Sequence, residues 1–377
     1  MADQSAAASP RPERQSGKFI SLEIARFVAA FCVAVDHLVS LVGAQVTPAR
    51  QILGGFDLPP ISPVIFFFTL SGFVMMTAHG ADYGRLDRIG RYAWRRICRI
   101  YPLYWLSLAA ALYYLGPSAS TPYLTKIITL SPFQDMLTEL NSPAWSLRFE
   151  IAFYIMFGIS LLPYIGRIWL FGWIILVFWE WYPLTFPFRL LTVHGWHLHV
   201  PPALAWHFFG NHCLYFFAGL AAGYAVTKWR APRWACWALL AVAICGLPFL
   251  LRADQFGFGY PSANRAPLIA LATGFMILAL AFAEKAGVLR LPRRLGLLGA
   301  MSYPLYLFHP MVIFLTSIFF YYHPQTKAAL PPDALFSLLL LISLGLTAAV
   351  TFLFDRPLQH WLRRPVLFAR KLAPPAV

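Results

Sequence analysis

Two ionisable residues, Arg26 and His37, lie inside the first long apolar run of the chain, IARFVAAFCVAVDHLVSLVG. A charge at membrane depth is costly, so such residues usually line an internal cavity or pathway. Eleven residues make about three helical turns, which puts both side chains on one helix face about 16 Å apart. A neutral imidazole can accept a proton near pH 7, and a guanidinium can hold an anionic oxygen. By itself the pair is compatible with a pump, a channel or an enzyme.

A second basic group lies in RYAWRRICRIYPLYW, residues 91–105, where Arg95, Arg96 and Arg99 precede another apolar run. Basic residues at such a place commonly anchor the cytoplasmic end of a membrane helix. Arg96 and Arg99 are also spaced i and i+3, so they can point the same way and grip phosphate oxygens. Charge alone leaves the anchor and the phosphate clamp open.

Three further polar residues interrupt apolar runs. Glu150 lies in PAWSLRFEIAFYIMF, at the expected outer end of a span, and a carboxylate directed into a span favours a role in a site. Ser71, in FFFTLSGFVMM, is instead expected to allow close helix packing. His309, in MSYPLYLFHP, is expected to be a hydrogen-bonded packing residue rather than a catalyst.

The sequence predicts neither a metal site nor a nucleic-acid partner. Five histidines on the expected outer side lack acidic partners and a recognised ligand spacing; they are His194, His197, His199, His207 and His212. The net charge of +15 does not require nucleic acid, because the anionic inner leaflet of a membrane attracts basic loops.

The composition indicates a polytopic membrane protein. The chain is 59% hydrophobic and 12% charged, with a mean hydropathy of +0.62, which is more apolar surface than a soluble core of this size can bury. Runs long enough to cross a bilayer as helices predict an all-α bundle of about ten transmembrane helices. We place them at 19–42, 61–79, 100–116, 146–164, 168–186, 208–227, 234–251, 266–283, 297–321 and 335–353.

The basic residues orient this bundle. With both termini in the cytoplasm, most of the 30 Lys and Arg residues fall in inner segments, as membrane insertion favours. Residues 1–18 are polar and rich in Ala, Ser and Pro, so we expect a disordered cytoplasmic tail. We expect residues 19–356 to form the transmembrane domain and residues 357–377 to form a second cytoplasmic tail.

Five strings in order resemble the acyltransferase 3 family of bacterial membrane O-acyltransferases. They are the Arg26/His37 pair, FFTLSGF, RRICRIYPLYW, PAWSLRFEIAFY and SYPLYLFHP, and together they cover essentially residues 19–356. Within the family the chain is most similar to the short exopolysaccharide acetyltransferases. This resemblance implies an enzyme of the bacterial inner membrane that acylates a cell-surface glycan.

The resemblance also implies roles for residues. His37 is expected to be the catalytic histidine with Arg26 as its partner, and Glu150 is expected to be a site carboxylate. Arg96 and Arg99, with Arg95 beside them, are expected to bind the phosphates of acyl-CoA. The expected donor is cytoplasmic acetyl-CoA, used as a substrate, with no permanently bound cofactor. The expected acceptor is a glycan that can be lipid-linked, and membrane lipids and a polysaccharide-synthesis complex are further expected partners.

The chemistry of acyl transfer agrees with these residue types. His37 would remove the proton of a sugar hydroxyl, and a nearby carboxylate such as Glu150 could orient the imidazole. Arg26 could steady the tetrahedral intermediate or hold the donor, and the sequence leaves both open. Direct transfer is preferred here to an acyl-histidine intermediate.

Two hypotheses from other functional classes are alternatives to an enzyme. A glycan or lipid-carrier exporter would also have buried Arg and His residues, as a proton relay. The chain has no internal repeat to support a transporter of that kind. A structural subunit of a polysaccharide-synthesis complex would retain acylation in a His37→Ala variant.

Overall fold

The computed structural model describes residues 19–45, 52, 61–115, 121–133, 144–181, 202–251, 266–328 and 331–362. Every regular element in these ranges is helical, and the α-helices number thirteen. They are α1 (Ile20–Gln45), α2 (Ile61–His79), α3 (Leu86–Leu115), α4 (Thr121–Thr129), α5 (Ala144–Ser160), α6 (Gly166–Trp181), α7 (Pro202–Phe209), α8 (His212–Lys228), α9 (Arg233–Leu251), α10 (Ala266–Lys285), α11 (Gly296–Tyr322), α12 (Pro332–Ala349) and α13 (Arg356–Leu362).

The all-α class predicted from the sequence is confirmed for the described residues, and each predicted span has a helix at its place. Four helical stretches are long and apolar enough to cross a membrane: Ile20–Ala44, Ala266–Lys285, Arg293–Tyr322 and Pro332–Leu362. Three shorter apolar helices accompany them, at Pro63–His79, Gly166–Trp179 and Arg233–Gly246. The count of ten crossings and the cytoplasmic termini stay predictions; residues 1–18 and 363–377 lie outside the described ranges.

Adjacent residues at the end of α10 bring three helix ends together. The Glu284 carboxylate accepts hydrogen bonds from the backbone N–H groups of Ile20 and Ser21, each at 2.8 Å, and so caps the start of α1. Lys285 Nζ donates to the backbone oxygens of Val226 and Trp229 at the end of α8. We call this the basic end of the bundle, because Lys228, Arg230, Arg233 and Lys285 flank these helix ends.

Glycines allow α2 and α8 to pack backbone against backbone. A Cβ atom on Gly72 would collide with the Phe216 carbonyl, and one on Gly219 would collide with the Thr69 carbonyl. Small residues that permit such an approach are a principal means of joining helices in lipid, where burial of apolar surface gives no advantage. Gly72 follows Ser71, so the FFFTLSGF string does provide a close helix contact.

A proline inside α3 joins this helix to the C-terminal end of the described chain. Pro102 has no N–H, so the Cys98 carbonyl one turn earlier lacks its usual helical donor. Gln359 Nε2 of α13 donates to that carbonyl at 2.6 Å. In addition, Trp94 Nε1 donates to the Leu362 carbonyl at 3.2 Å. The first six residues of the expected tail are therefore helical, as part of α13. Gln359 and Leu362 of this segment bond to α3.

Replacing Gly219 by alanine should destabilise the protein by about 1–3 kcal/mol, because the added methyl group would push α8 away from α2. The matched control is Gly172→Ala on α6, where a Cβ atom meets no atom within 4 Å. Because alanine is the better helix former, this control should unfold at or above the wild-type temperature. Thermal unfolding of the purified proteins in detergent measures both effects. Equal midpoints for the two variants would contradict the close α2–α8 packing.

Candidate functional site

Arg26 and His37, the ionisable residues of the first apolar run, both contact α11. His37 Nδ1 lies 2.9 Å from His309 Nε2, and the two rings are stacked with centroids 5.1 Å apart. Arg26 Nε donates to Ser302 Oγ at 2.8 Å, and the Arg26 guanidinium also donates to the Gly299 carbonyl. The helices therefore run parallel, with matched spacing: eleven residues separate the pair on α1, and ten separate Gly299 from His309.

The second nitrogen of His309 fixes the direction of the histidine pair. His309 Nδ1 lies 2.9 Å from the Leu305 carbonyl, and a carbonyl can only accept, so Nδ1 carries a proton. In a neutral His309 ring, Nε2 is then an acceptor, and His37 Nδ1 must donate to it. The remaining nitrogen of His37, Nε2, keeps its lone pair. His37 is therefore held as the tautomer that can accept a proton at Nε2.

Burial distinguishes the two members of the histidine pair. His309 is 1% exposed, whereas His37 is only partly buried, so His37 is the member of the pair that a ligand can reach. His309 is buried and hydrogen-bonded, as expected, and one of its partners is His37.

Arg26 joins α1 to α11 and carries a carboxylate on its own helix. Glu23, one turn earlier, forms an ion pair with Arg26 at 3.2 Å. Gly299 provides room for this carboxylate, because a Cβ atom there would collide with it. Ser302 Oγ, which accepts from Arg26, donates in turn to the Gly299 carbonyl at 2.9 Å. These contacts hold the guanidinium at a fixed place on the α1 face.

Two of the three predicted phosphate-binding arginines point toward aromatic rings of the interior. The Arg96 guanidinium lies 5.5 Å from the Tyr154 ring centroid, and that of Arg99 lies 5.2 Å from the Tyr303 ring centroid. Both side chains are partly buried, whereas Arg95 is exposed. Cation–π contacts of this kind orient a guanidinium without neutralising its charge. Arg96 and Arg99 therefore remain able to bind an anion.

Glu150 interacts with Tyr154, Arg26 and Tyr303 and makes no contact with His37, in contrast to the expectation that it orients the imidazole. The Tyr154 hydroxyl donates a hydrogen bond to Glu150 Oε1. Glu150 also interacts electrostatically with Arg26 and with Tyr303. Its position follows from α5, because Ser146, one turn before Glu150, is already hydrogen-bonded at 2.8 Å to Tyr306 of α11. Among the described residues, the partner of His37 is His309.

These contacts and electrostatic interactions arrange the polar groups in one series along α1, α3, α5 and α11, which we call the polar series. It begins near the basic end of the bundle and finishes about 16 Å beyond Arg26. In order, its members are Arg96 with Tyr154, then Arg26, Arg99, Glu150 and Tyr303, then Ser146 with Tyr306, and finally His37 with His309. A charged region is thus connected to a proton acceptor within one bundle.

Sequence reasoning did not assign roles to several members of this series. The residues without an assigned role are Tyr154, Tyr303 and Tyr306. Their spacing in the sequence could have identified two of them, because Tyr154 follows Glu150 by four residues and Tyr306 precedes His309 by three. Residues at these spacings share a helix face. Asp355 is also buried, at 4% exposure, and interacts electrostatically with Tyr303.

The expected outer histidines divide into two groups. His194, His197 and His199 lie outside the described residues. His207 and His212 are buried and pack against the ring of Phe149, with centroid distances of 4.7 and 4.4 Å. Within the described ranges, no group of three or more His, Cys, Asp or Glu side chains could hold a metal ion.

The histidine pair leads to a prediction that does not depend on any activity. At pH 8, His37 should carry its proton on Nδ1 and should have an unprotonated Nε2. Nitrogen-15 spectra of histidine-labelled protein, with His37 assigned from the signals lost in His37→Gln, measure the tautomer. His309→Leu should release His37 from this tautomer, and His309→Gln, which retains an acceptor, should preserve it. A proton on Nε2 of His37 in the wild-type protein would contradict the hydrogen-bond direction.

Comparisons with known proteins agree with this chemistry. The family model Acyl_transf_3, described as an acyltransferase domain, matches residues 19–356, which is most of the chain. No curated protein and no solved structure matches the chain significantly. The matched region contains the whole polar series. The chain therefore belongs to the acyltransferase 3 family and is a membrane acyltransferase.

Proposed function

We propose that this acyltransferase moves a short acyl group, most simply acetyl, from cytoplasmic acyl-CoA to a sugar hydroxyl of an exopolysaccharide or another cell-surface glycan. The observation that carries the proposal is the Leu305–His309–His37 chain of hydrogen bonds, which leaves a proton acceptor at His37 Nε2. Acyl transfer to an alcohol needs a base of this kind, since a neutral hydroxyl is a weak nucleophile.

In the proposed step, the sugar hydroxyl oxygen attacks the thioester carbonyl carbon while His37 Nε2 takes the hydroxyl proton. The tetrahedral intermediate collapses with cleavage of the carbon–sulfur bond, and the sulfur leaves with the bonding electron pair. The imidazolium of His37 returns its proton to that sulfur, giving free coenzyme A and a sugar ester. His309 is a positioning residue in this step, because it holds His37 in the required tautomer through Nδ1.

The arginines of the polar series support a donor-binding role. Arg96 and Arg99 lie toward the basic end, and Arg95 is exposed beside them, which suits the phosphates of a donor that enters from the cytoplasm. The thin pantetheine arm would extend past Arg26 toward His37. The separation of about 16 Å between Arg26 and His37 favours donor binding over stabilisation of the oxyanion, because the two side chains cannot contact one reacting carbonyl group.

The acceptor and the cellular setting follow from the expected topology. His37 lies on the far side of Arg26 from the basic end, so an acceptor glycan on the outer side of a bacterial inner membrane would approach it from the opposite direction. A lipid-linked glycan would bring its sugar to the membrane surface, and assembly with other polysaccharide-synthesis proteins would deliver it. Acyl-CoA acts as a substrate in this scheme.

The test of the proposal is the base-labile ester on the surface glycan of a deletion strain. Complementation with the wild-type gene should restore the ester, and complementation with His37→Ala should lower ester formation by about 10²-fold or more, because the base is removed. His323→Ala is the matched control, since His323 is exposed at the end of α11. Equal ester with wild type and His37→Ala would overturn the proposal. Loss of polymer without specific loss of ester would favour an exporter.

Direct transfer predicts how coenzyme A is released. Purified protein mixed with acetyl-CoA and no acceptor should release no stoichiometric burst of free coenzyme A, because the carbon–sulfur bond breaks only after attack by a sugar hydroxyl. A thiol-reactive dye measures the release on the millisecond to second scale. A burst of about one equivalent, absent from the His37→Ala variant, would instead identify an acyl-histidine intermediate.

A further inference from the structure

A buried histidine outside the His37 pair joins α2 to α3 near the basic end. His79 is the last residue of α2 and is 2% exposed. Its Nδ1 lies 2.9 Å from Asp82 Oδ2, and its Nε2 lies 3.1 Å from an Arg96 Nη2 atom. The imidazole is therefore held between a carboxylate and a guanidinium.

The partners determine where the proton of His79 lies. A guanidinium can only donate, so Nε2 of His79 must accept from Arg96. Nδ1 then carries the proton and donates a hydrogen bond to the Asp82 carboxylate, which can only accept when ionised. The Tyr92 ring packs edge-on against the imidazole, at a centroid distance of 4.9 Å. Asp82, His79 and Arg96 thus form one directed chain of hydrogen bonds.

This chain orients Arg96 without cancelling its charge. A carboxylate in direct contact with Arg96 would form an ion pair and would compete with any anionic ligand. A neutral imidazole between the two groups fixes the guanidinium plane while the positive charge stays available. The aromatic rings of Tyr92 and Tyr154 lie 5.9 and 5.5 Å from the guanidinium and add orientation of the same kind. Arg96 Nε is buried and bonds to no described residue.

We infer that His79 and Asp82 are positioning residues that hold Arg96 ready for an anionic group of the acyl donor, a phosphate or pyrophosphate of coenzyme A. The inference rests on the proposed function. It predicts that affinity for the donor depends on the hydrogen bond between His79 and Arg96, which Asp82 supports from the turn after α2. This hydrogen bond lies far from His37 along the polar series. The hydroxyl acceptor and the transfer step do not involve these two residues.

Two amide substitutions of His79 separate its two hydrogen bonds. Glutamine places an amide near the position of Nε2 and can still accept from Arg96, whereas asparagine places its amide near Nδ1 and loses Arg96. Binding of unacylated coenzyme A to the purified full-length protein in detergent, measured by calorimetry, reports the donor site without catalysis. His79→Asn should weaken binding about tenfold, as should Arg96→Gln. His79→Gln should stay within about threefold of wild type.

Further variants separate orientation of Arg96 from general stability. The double variant of His79→Asn and Arg96→Gln should bind no more weakly than Arg96→Gln alone, because His79 is proposed to act through Arg96. Asp82→Ala, in the partly buried turn, should weaken binding several-fold even if His79→Asn fails to fold. The matched control is Asp87→Ala, whose carboxylate is exposed beside Arg85 and Arg88 and should leave binding unchanged. In turnover assays with acetyl-CoA, His79→Asn should raise the donor KM and change kcat less than twofold.

The outcomes distinguish this inference from the proposed function. Coenzyme A bound equally by wild type, His79→Asn and Asp82→Ala would overturn the positioning role and leave the acyltransfer proposal intact. A lower kcat with an unchanged donor KM would overturn it as well, because that result indicates a merely structural effect. A wild-type protein that forms ester but binds no coenzyme A would overturn the choice of donor, and this inference with it.

Discussion

The parallel packing of α1 against α11 is the contact on which the candidate site depends. Arg26 bonds to Gly299 and Ser302, and His37 bonds to His309, so two polar contacts fix the register of the helices at points about 16 Å apart. A slide of one turn would break both contacts and would leave buried polar groups without partners, at a cost larger than that of exchanging apolar side chains in lipid. The residues suited to chemistry thus also align these helices.

The same arrangement uses neutral polar groups to orient charged or reactive ones. His309 is bonded to the Leu305 carbonyl and holds His37, and His79 is bonded to Asp82 and holds Arg96. In both cases a buried imidazole bonds to a fixed acceptor through one nitrogen. Through its other nitrogen it orients the side chain that would contact the substrate. Supporting hydrogen bonds of this kind are expected wherever a reacting side chain must keep one tautomer or one orientation of its plane. The proposed acyl transfer therefore depends on pairs of residues from different helices.

Sequence reasoning succeeded where the information is local. Apolar runs gave a helix at every predicted span, because a span must satisfy its backbone hydrogen bonds internally. The shared face of Arg26 and His37 followed from helical periodicity alone. Local information did not place Glu150, which we expected near His37 because it lies at the outer end of a span. Its level is set by the way α5 packs through Ser146 against Tyr306, and a single sequence contains no information about that register.

The sequence by itself determined the class of protein, the family and the residue types available for chemistry. Composition, periodicity and ordered motifs are properties of the chain, so they can be read without coordinates. Only the tertiary structure decided which of those residues interact: His309 with His37, Glu150 with Arg26, and His79 with Arg96. The physical reason is that such pairs join residues far apart in the chain, and helix packing in lipid depends on small residues and a few polar contacts that apolar periodicity does not encode.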